Sequence, residues 1–141
     1  MTALSAYPVT IAVESATPGT YTTIAAVLDI EGPNLEVDMI DVTSRDISGW
    51  KEFIAGLGDA GEVTFDVIYD ADAATHGNTT PGLMYLVTNK TKKNWKITLA
   101  DPTPTTWTIS AFIKAFKPKM PMKDAQRASV TLKVTGSVTV A

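Results

Sequence analysis

Cysteine is absent from the 141 residues, which excludes a disulfide framework, a thiolate metal site and a cysteine nucleophile. Histidine occurs once, at position 76, beside Gly77 in a polar stretch, so it reads as a solvated surface residue. Long apolar runs are missing too. None approaches the roughly 18 residues that span a bilayer, and the opening MTALSAYPVTIAVESATPGT has no basic residue, so neither a membrane span nor a signal peptide is expected. Basic residues are scarce in the first half. Residues 1–72 hold 13 Asp and Glu against Arg45 and Lys51, a net of −11. Residues 73–141 hold only Asp101 and Asp124 against 10 Lys and Arg, a net of +8. Such polarity either pairs up inside one fold or lets an acidic face of one copy meet a basic face of the next.

What is present is an ordinary apolar content of 45%, enough for one domain with a core, and a pattern dominated by two-residue alternation. Residues 1–20 read as an extended arm with one apolar patch, Val9 to Val13. Tyr21 to Ile30 reads as a first strand, Glu31-Gly32-Pro33-Asn34 as a turn, and Leu35, Val37 and Met39 as the inward face of a second strand, so the pair is expected to form a hairpin. Val63, Phe65, Val67 and Tyr69 alternate in a third. Thr80 and Pro81 predict a helix start at N-cap and first position, followed by the stripe Leu83, Leu86 and Val87. Trp95, Ile97 and Leu99 mark another strand. Trp107 to Ala115 forms a longer one, with Phe112 and Phe116 on its opposite face, and KPKMPMK (117–123) is a proline-broken loop. Val130 to Val140 closes the chain as a strand. The predicted fold is mainly β, an antiparallel β-sandwich or flattened barrel with one short flanking α-helix.

One stretch does not fit the alternation. Trp50, Phe53, Ile54 and Leu57 are spaced at i, i+3, i+4 and i+7, which is helical, but Gly49, Gly56, Gly58 and Gly61 interrupt them. Four large apolar groups in such a connection are either a loop capping this chain's own core or a surface for another molecule. Elsewhere the chemistry is sparse. Asp70, Asp72 and His76 lack the spacing and ligand count of a calcium loop. No phosphate loop, nucleophile elbow or zinc spacing occurs. The lysines of 90–96 and 114–123 lack a nucleic-acid motif and interleaved aromatics. No catalytic, cofactor or metal residue is assigned, and an enzyme is not expected.

The runs SGWKEFIAGLGDAGEVTFDVIYD, TWTISAFIKAFKP and DAQRASVTLKVTGSVTV, with the Pro-Gly helix start between them, resemble in that order the tail tube (major tail) proteins of long-tailed bacteriophages. These are related to the tube proteins of type VI secretion. The resemblance implies a single tail tube domain over 1–141 that self-associates into hexameric rings, which stack into a hollow tube. It implies that the loop 44–61 carries contacts between subunits, with Trp50, Phe53, Ile54 and Leu57 as anchors. An acidic lumen would be lined by Glu36, Asp38, Glu62 and Asp66, so that DNA passes without specific binding. Implied partners are a tape measure protein, a tail terminator and baseplate or distal tail proteins. The implied location is the virion tail, assembled in the host cytoplasm without a membrane. Two other readings stay open: a tube subunit of a phage-derived secretion or injection system, and a non-enzymatic β-sandwich binding module.

Overall fold

The computed structural model describes Ser5 and residues 8–45 and 49–141. The chain begins with β1 (Thr10–Glu14) and β2 (Tyr21–Thr23), followed by β3 (Val27–Glu31), β4 (Glu36–Asp41), β5 (Phe53–Asp59) and β6 (Glu62–Ile68). After a loop come α1 (Leu83–Thr88), β7 (Lys93–Thr98) and the two long strands β8 (Thr106–Lys119) and β9 (Arg127–Val140). Seven strands form one antiparallel sheet in the order β2-β1-β7-β8-β9-β6-β3, and β4 pairs with β5 as a separate two-stranded ribbon.

The fold class is as the alternation predicts, but the pairing differs in three places. The stretch 1–20 is not only an arm, because Ile11 and Val13 are fully buried in β1, between β2 and β7. The expected strand 21–30 is two strands on opposite edges of the sheet, β2 beside β1 and β3 beside β6. The expected hairpin across Glu31–Asn34 does not form, since β3 pairs with β6 and β4 with β5. The reason lies at two glycines in the left-handed region. Gly32 (φ 102°) passes against the backbone of Glu62, whose oxygen would lie 2.4 Å from an added Cβ. Gly61 (φ 69°) passes equally close to Asn34. The chain therefore leaves the sheet and returns to it at one crossing point, and the segment between becomes the ribbon.

Only Ile24, Ala25 and Ala26 join β2 to β3, which sets the shape of the sheet. Four Cα steps reach at most about 14 Å, whereas the edges of a flat seven-stranded sheet lie about 29 Å apart. The sheet must curl until its edges nearly meet. They do not pair, and the structure is not a closed barrel. The seam is stitched by a loop instead. Ala25 N–H donates to the Thr75 hydroxyl (3.1 Å), and the His76 Nε2–H donates to the Ala25 carbonyl (2.7 Å). Nδ1 of the same ring accepts the Asp70 N–H (3.1 Å), and the ring stacks on Tyr69. His76 is thus fully buried, not the solvated residue its polar neighbours suggested.

The inner face of the curled sheet carries Val63, Phe65, Trp95, Ile109, Val130 and Leu132, all at most 1% exposed, and Leu83 and Leu86 of α1 complete this core. The helix begins later than Thr80-Pro81 suggested, with Gly82 as its N-cap and no side-chain cap. The N–H groups of Leu83, Met84 and Tyr85, which a short helix leaves unpaired, donate to the carbonyls of Thr75, His76 and Gly77. The same loop closes the seam and caps the helix. Phe116 also departs from expectation. A register shift between Ile113 and Ala115 moves it to the core side, where it packs edge-on to Tyr69 at 5.5 Å, while Phe112 stays exposed.

Candidate inter-subunit surface

Strands β4 and β5 differ from every other pair in having no buried face. All six residues of β4 are exposed, and in β5 only Gly56 is not. Because successive side chains in a strand point to opposite faces, Phe53 and Ile54 lie on opposite sides, as do Met39 and Ile40 of β4, which pair with Ala55 and Ile54. The i, i+3, i+4, i+7 spacing of Trp50, Phe53, Ile54 and Leu57 is therefore not a helical stripe. Phe53, Ile54 and Leu57 stand on a strand, and Trp50 sits in the irregular connection before it.

Exposure discriminates between the two readings of these residues. Trp50 is 81% exposed and Leu57 83%, and Phe53 and Ile54 are each half exposed. None of the four belongs to the subunit's core. A ribbon that is apolar on both faces is marginal in water on its own. Its root is held where β5 meets β9, beside a cleft of about 400 Å³ lined by Leu35, Val37, Ala60, Gly136 and Val138. Sequence reasoning missed Val37, Met39, Ile40 and Val42 as surface residues, since Leu35, Val37 and Met39 alternate as a core-facing strand would. The available signal was the apolar residue at both parities in Met39-Ile40.

The four acidic residues assigned to one lining stand on two different elements. Glu36 and Asp38 leave with the ribbon, while Glu62 and Asp66 stand on the outer face of β6. Glu62 accepts from Lys114 Nζ at 2.5 Å, which holds its carboxyl below the usual range. Asp66 accepts from the Ser129 hydroxyl at 2.7 Å. Asp59 is lowered chiefly by the Gly61 N–H, and then by Lys133 at 3.5 Å. Part of the charge polarity thus pairs within the fold, at exposed positions where ion pairs add little stability. Among the described residues no group of three or more His, Cys, Asp or Glu could hold a metal ion, and no helix is long and apolar enough to cross a membrane.

The described chain is thus a curled antiparallel sheet with a separate two-stranded ribbon whose apolar residues are exposed on both faces. Residues 9–141 match the family model described as lambda phage tail tube protein, and the chain belongs to that family. It is a structural component of a phage tail. Solved structures share the fold at low identity. One is a gene transfer agent tail refined with C6 helical symmetry, with TM-score 0.80, 15% identity and 99% of both chains covered. Another is the SPP1 tail tube, with TM-score 0.70 and 12% identity over 94% of this chain and 75% of that one. A third is the sheath/tube terminator of an extracellular contractile injection system, with TM-score 0.73 and 17% identity over 100% of this chain and 98% of that one. No curated protein matches the sequence significantly.

Proposed function

We propose that the whole chain acts as one tube-forming domain, assembling as hexameric rings that stack head to tail into the hollow tube of a phage tail. The observation that carries this is the ribbon β4–β5, whose apolar side chains are exposed on both faces and, among the described residues, are not covered by the core. A heterologous contact that does not close on itself generates an open helical assembly, and the segment 44–61, with Trp50, Phe53, Ile54 and Leu57, is the contact between subunits. The work is mechanical. Both nitrogens of the lone histidine are engaged in hydrogen bonds that close the fold, which leaves neither for proton transfer.

In this reading the tube forms in the host cytoplasm around a tape measure protein, with a terminator at one end and distal tail or baseplate proteins at the other. DNA passes through the lumen without specific contacts. Concentrated protein viewed by electron microscopy should show hollow tubes with sixfold end views; a monodisperse monomer at all concentrations would instead identify a solitary binding module. For the lumen we retain Glu62 and Asp66, which share the outer face of β6. The double neutralisation Glu62→Gln with Asp66→Asn should slow DNA ejection from assembled particles at an unchanged number of tubes. Ejection at the normal rate would remove these two residues from the lining.

A further inference from the structure

The end of the β8–β9 hairpin is a second unpartnered surface, chemically opposite to the ribbon. Met120 is 68% exposed and Met122 98%, both between the ends of the two strands. Lys117, Lys119, Lys123 and Arg127 surround them, all exposed, and Asp124 pairs with Arg127 at 3.5 Å. Residues 117–127 thus carry four positive charges against one negative, a net of +3. The ribbon and its connection, 36–59, carry six acidic residues against Arg45 and Lys51, a net of −4. Both surfaces are apolar groups set in charge, and the charges have opposite sign.

Their placement is what turns complementarity into a direction. Lys133 lies opposite Glu62 and within 3.5 Å of Asp59, at the root of the ribbon. Arg127 lies opposite Lys119, just below the basic tip. These two positions on β9 are six residues apart, about 20 Å of strand, so the tip leaves from the start of β9 and the ribbon from beside its middle. Two chains related head to tail can bring the two surfaces together.

We propose that the Met120/Met122 tip of one copy docks on the acidic, apolar β4–β5 ribbon of the next copy, and that this contact sets the polarity of the assembly. The proposal rests on the head-to-tail reading above and supplies its second half, the surface that receives the ribbon. Methionine suits this position, because its flexible thioether fills irregular apolar gaps. The lysines around it bring the charge that steers acidic partner to basic tip and rejects tip against tip.

Charge exchange tests it. The tip variant Lys117→Glu/Lys119→Glu/Lys123→Glu and the ribbon variant Glu36→Lys/Asp38→Lys/Glu52→Lys should each lose polymerisation, and an equimolar mixture of the two should recover it. All six positions are exposed, so each variant should keep its thermal midpoint. A second measurement exploits the absence of cysteine. Met39→Cys and Met122→Cys chains, mixed and treated with a short bis-maleimide, should give the 39–122 heterodimer in several-fold excess over either homodimer. Tubes without that cross-link, or from both charge variants alone, would overturn the contact and leave the tube reading standing. The cross-link without tubes would keep the contact and defeat the tube reading. Neither tubes nor cross-link would defeat both.

Discussion

Trp50→Ala and Leu57→Ala subunits should fold and stay soluble like the parent but grow no tubes at concentrations where the parent is expected to. Both side chains are more than four-fifths exposed, so truncation removes almost no contact within the subunit. Substitutions at such positions change stability by less than about 0.5 kcal/mol. In the proposed contact the same side chains become buried, and covering a large apolar group is worth about 1.5–3 kcal/mol. Trp is among the residues whose truncation most often costs about 2 kcal/mol or more at an interface, so Trp50→Ala should show the larger effect of the two. A loss of about 2.8 kcal/mol per added subunit raises the concentration needed for growth about 100-fold. The check is a pair of measurements on each variant, thermal unfolding and a sedimentation assay of polymer against concentration. A variant that unfolds would make these residues part of the core. A variant that polymerises at the parental concentration would remove them from the contact.

The second large effect falls on the subunit itself. His76→Ala should destabilise the fold by about 3–5 kcal/mol, from the cavity it opens and the hydrogen bonds it deletes. The ring is fully buried, and its loss strands the Asp70 N–H and the Ala25 carbonyl. The damage is not local. The loop that carries His76 joins the two edges of the curled sheet through Ala25 and supplies the carbonyls that cap α1. Opening it frees the seam and the helix together. A chain with a few kcal/mol of net stability to lose then unfolds near ambient temperature. Chemical denaturation should show a lowered midpoint; a shift of under about 1 kcal/mol, the scale of an ordinary surface change, would mean that the seam holds without this residue.

These residues also mark how far the sequence pattern reaches. The strands β6 to β9 were legible because their inward residues recur every second position, and a sheet with one buried face demands that period. The short helix was legible from its stripe, but its start was not, because its unpaired N–H groups are met by carbonyls of a distant loop and not by an adjacent cap. His76 looked solvated for the same reason. Its partners are Ala25 and Asp70, and only the first is far along the chain, yet that bond decides its burial. Phe116 changed face through a register shift that no periodicity announces.

The stretch Trp50 to Leu57 shows the division most plainly. Sequence alone determined that large apolar groups were concentrated there among glycines, that the two halves of the chain carry opposite charge, and that the whole is built of alternating strands. It could not decide between a cap on the core and a surface for a partner, because the same composition serves both. Tertiary structure decided that these side chains stand outside. Gly32 and Gly61, each tight against another segment's backbone, send the chain out of the sheet and back at a single crossing. Whatever lies between must pair with itself. Burial is a property of where the backbone goes, and that is set by close approaches between residues far apart in sequence, which a pattern read along the chain does not contain.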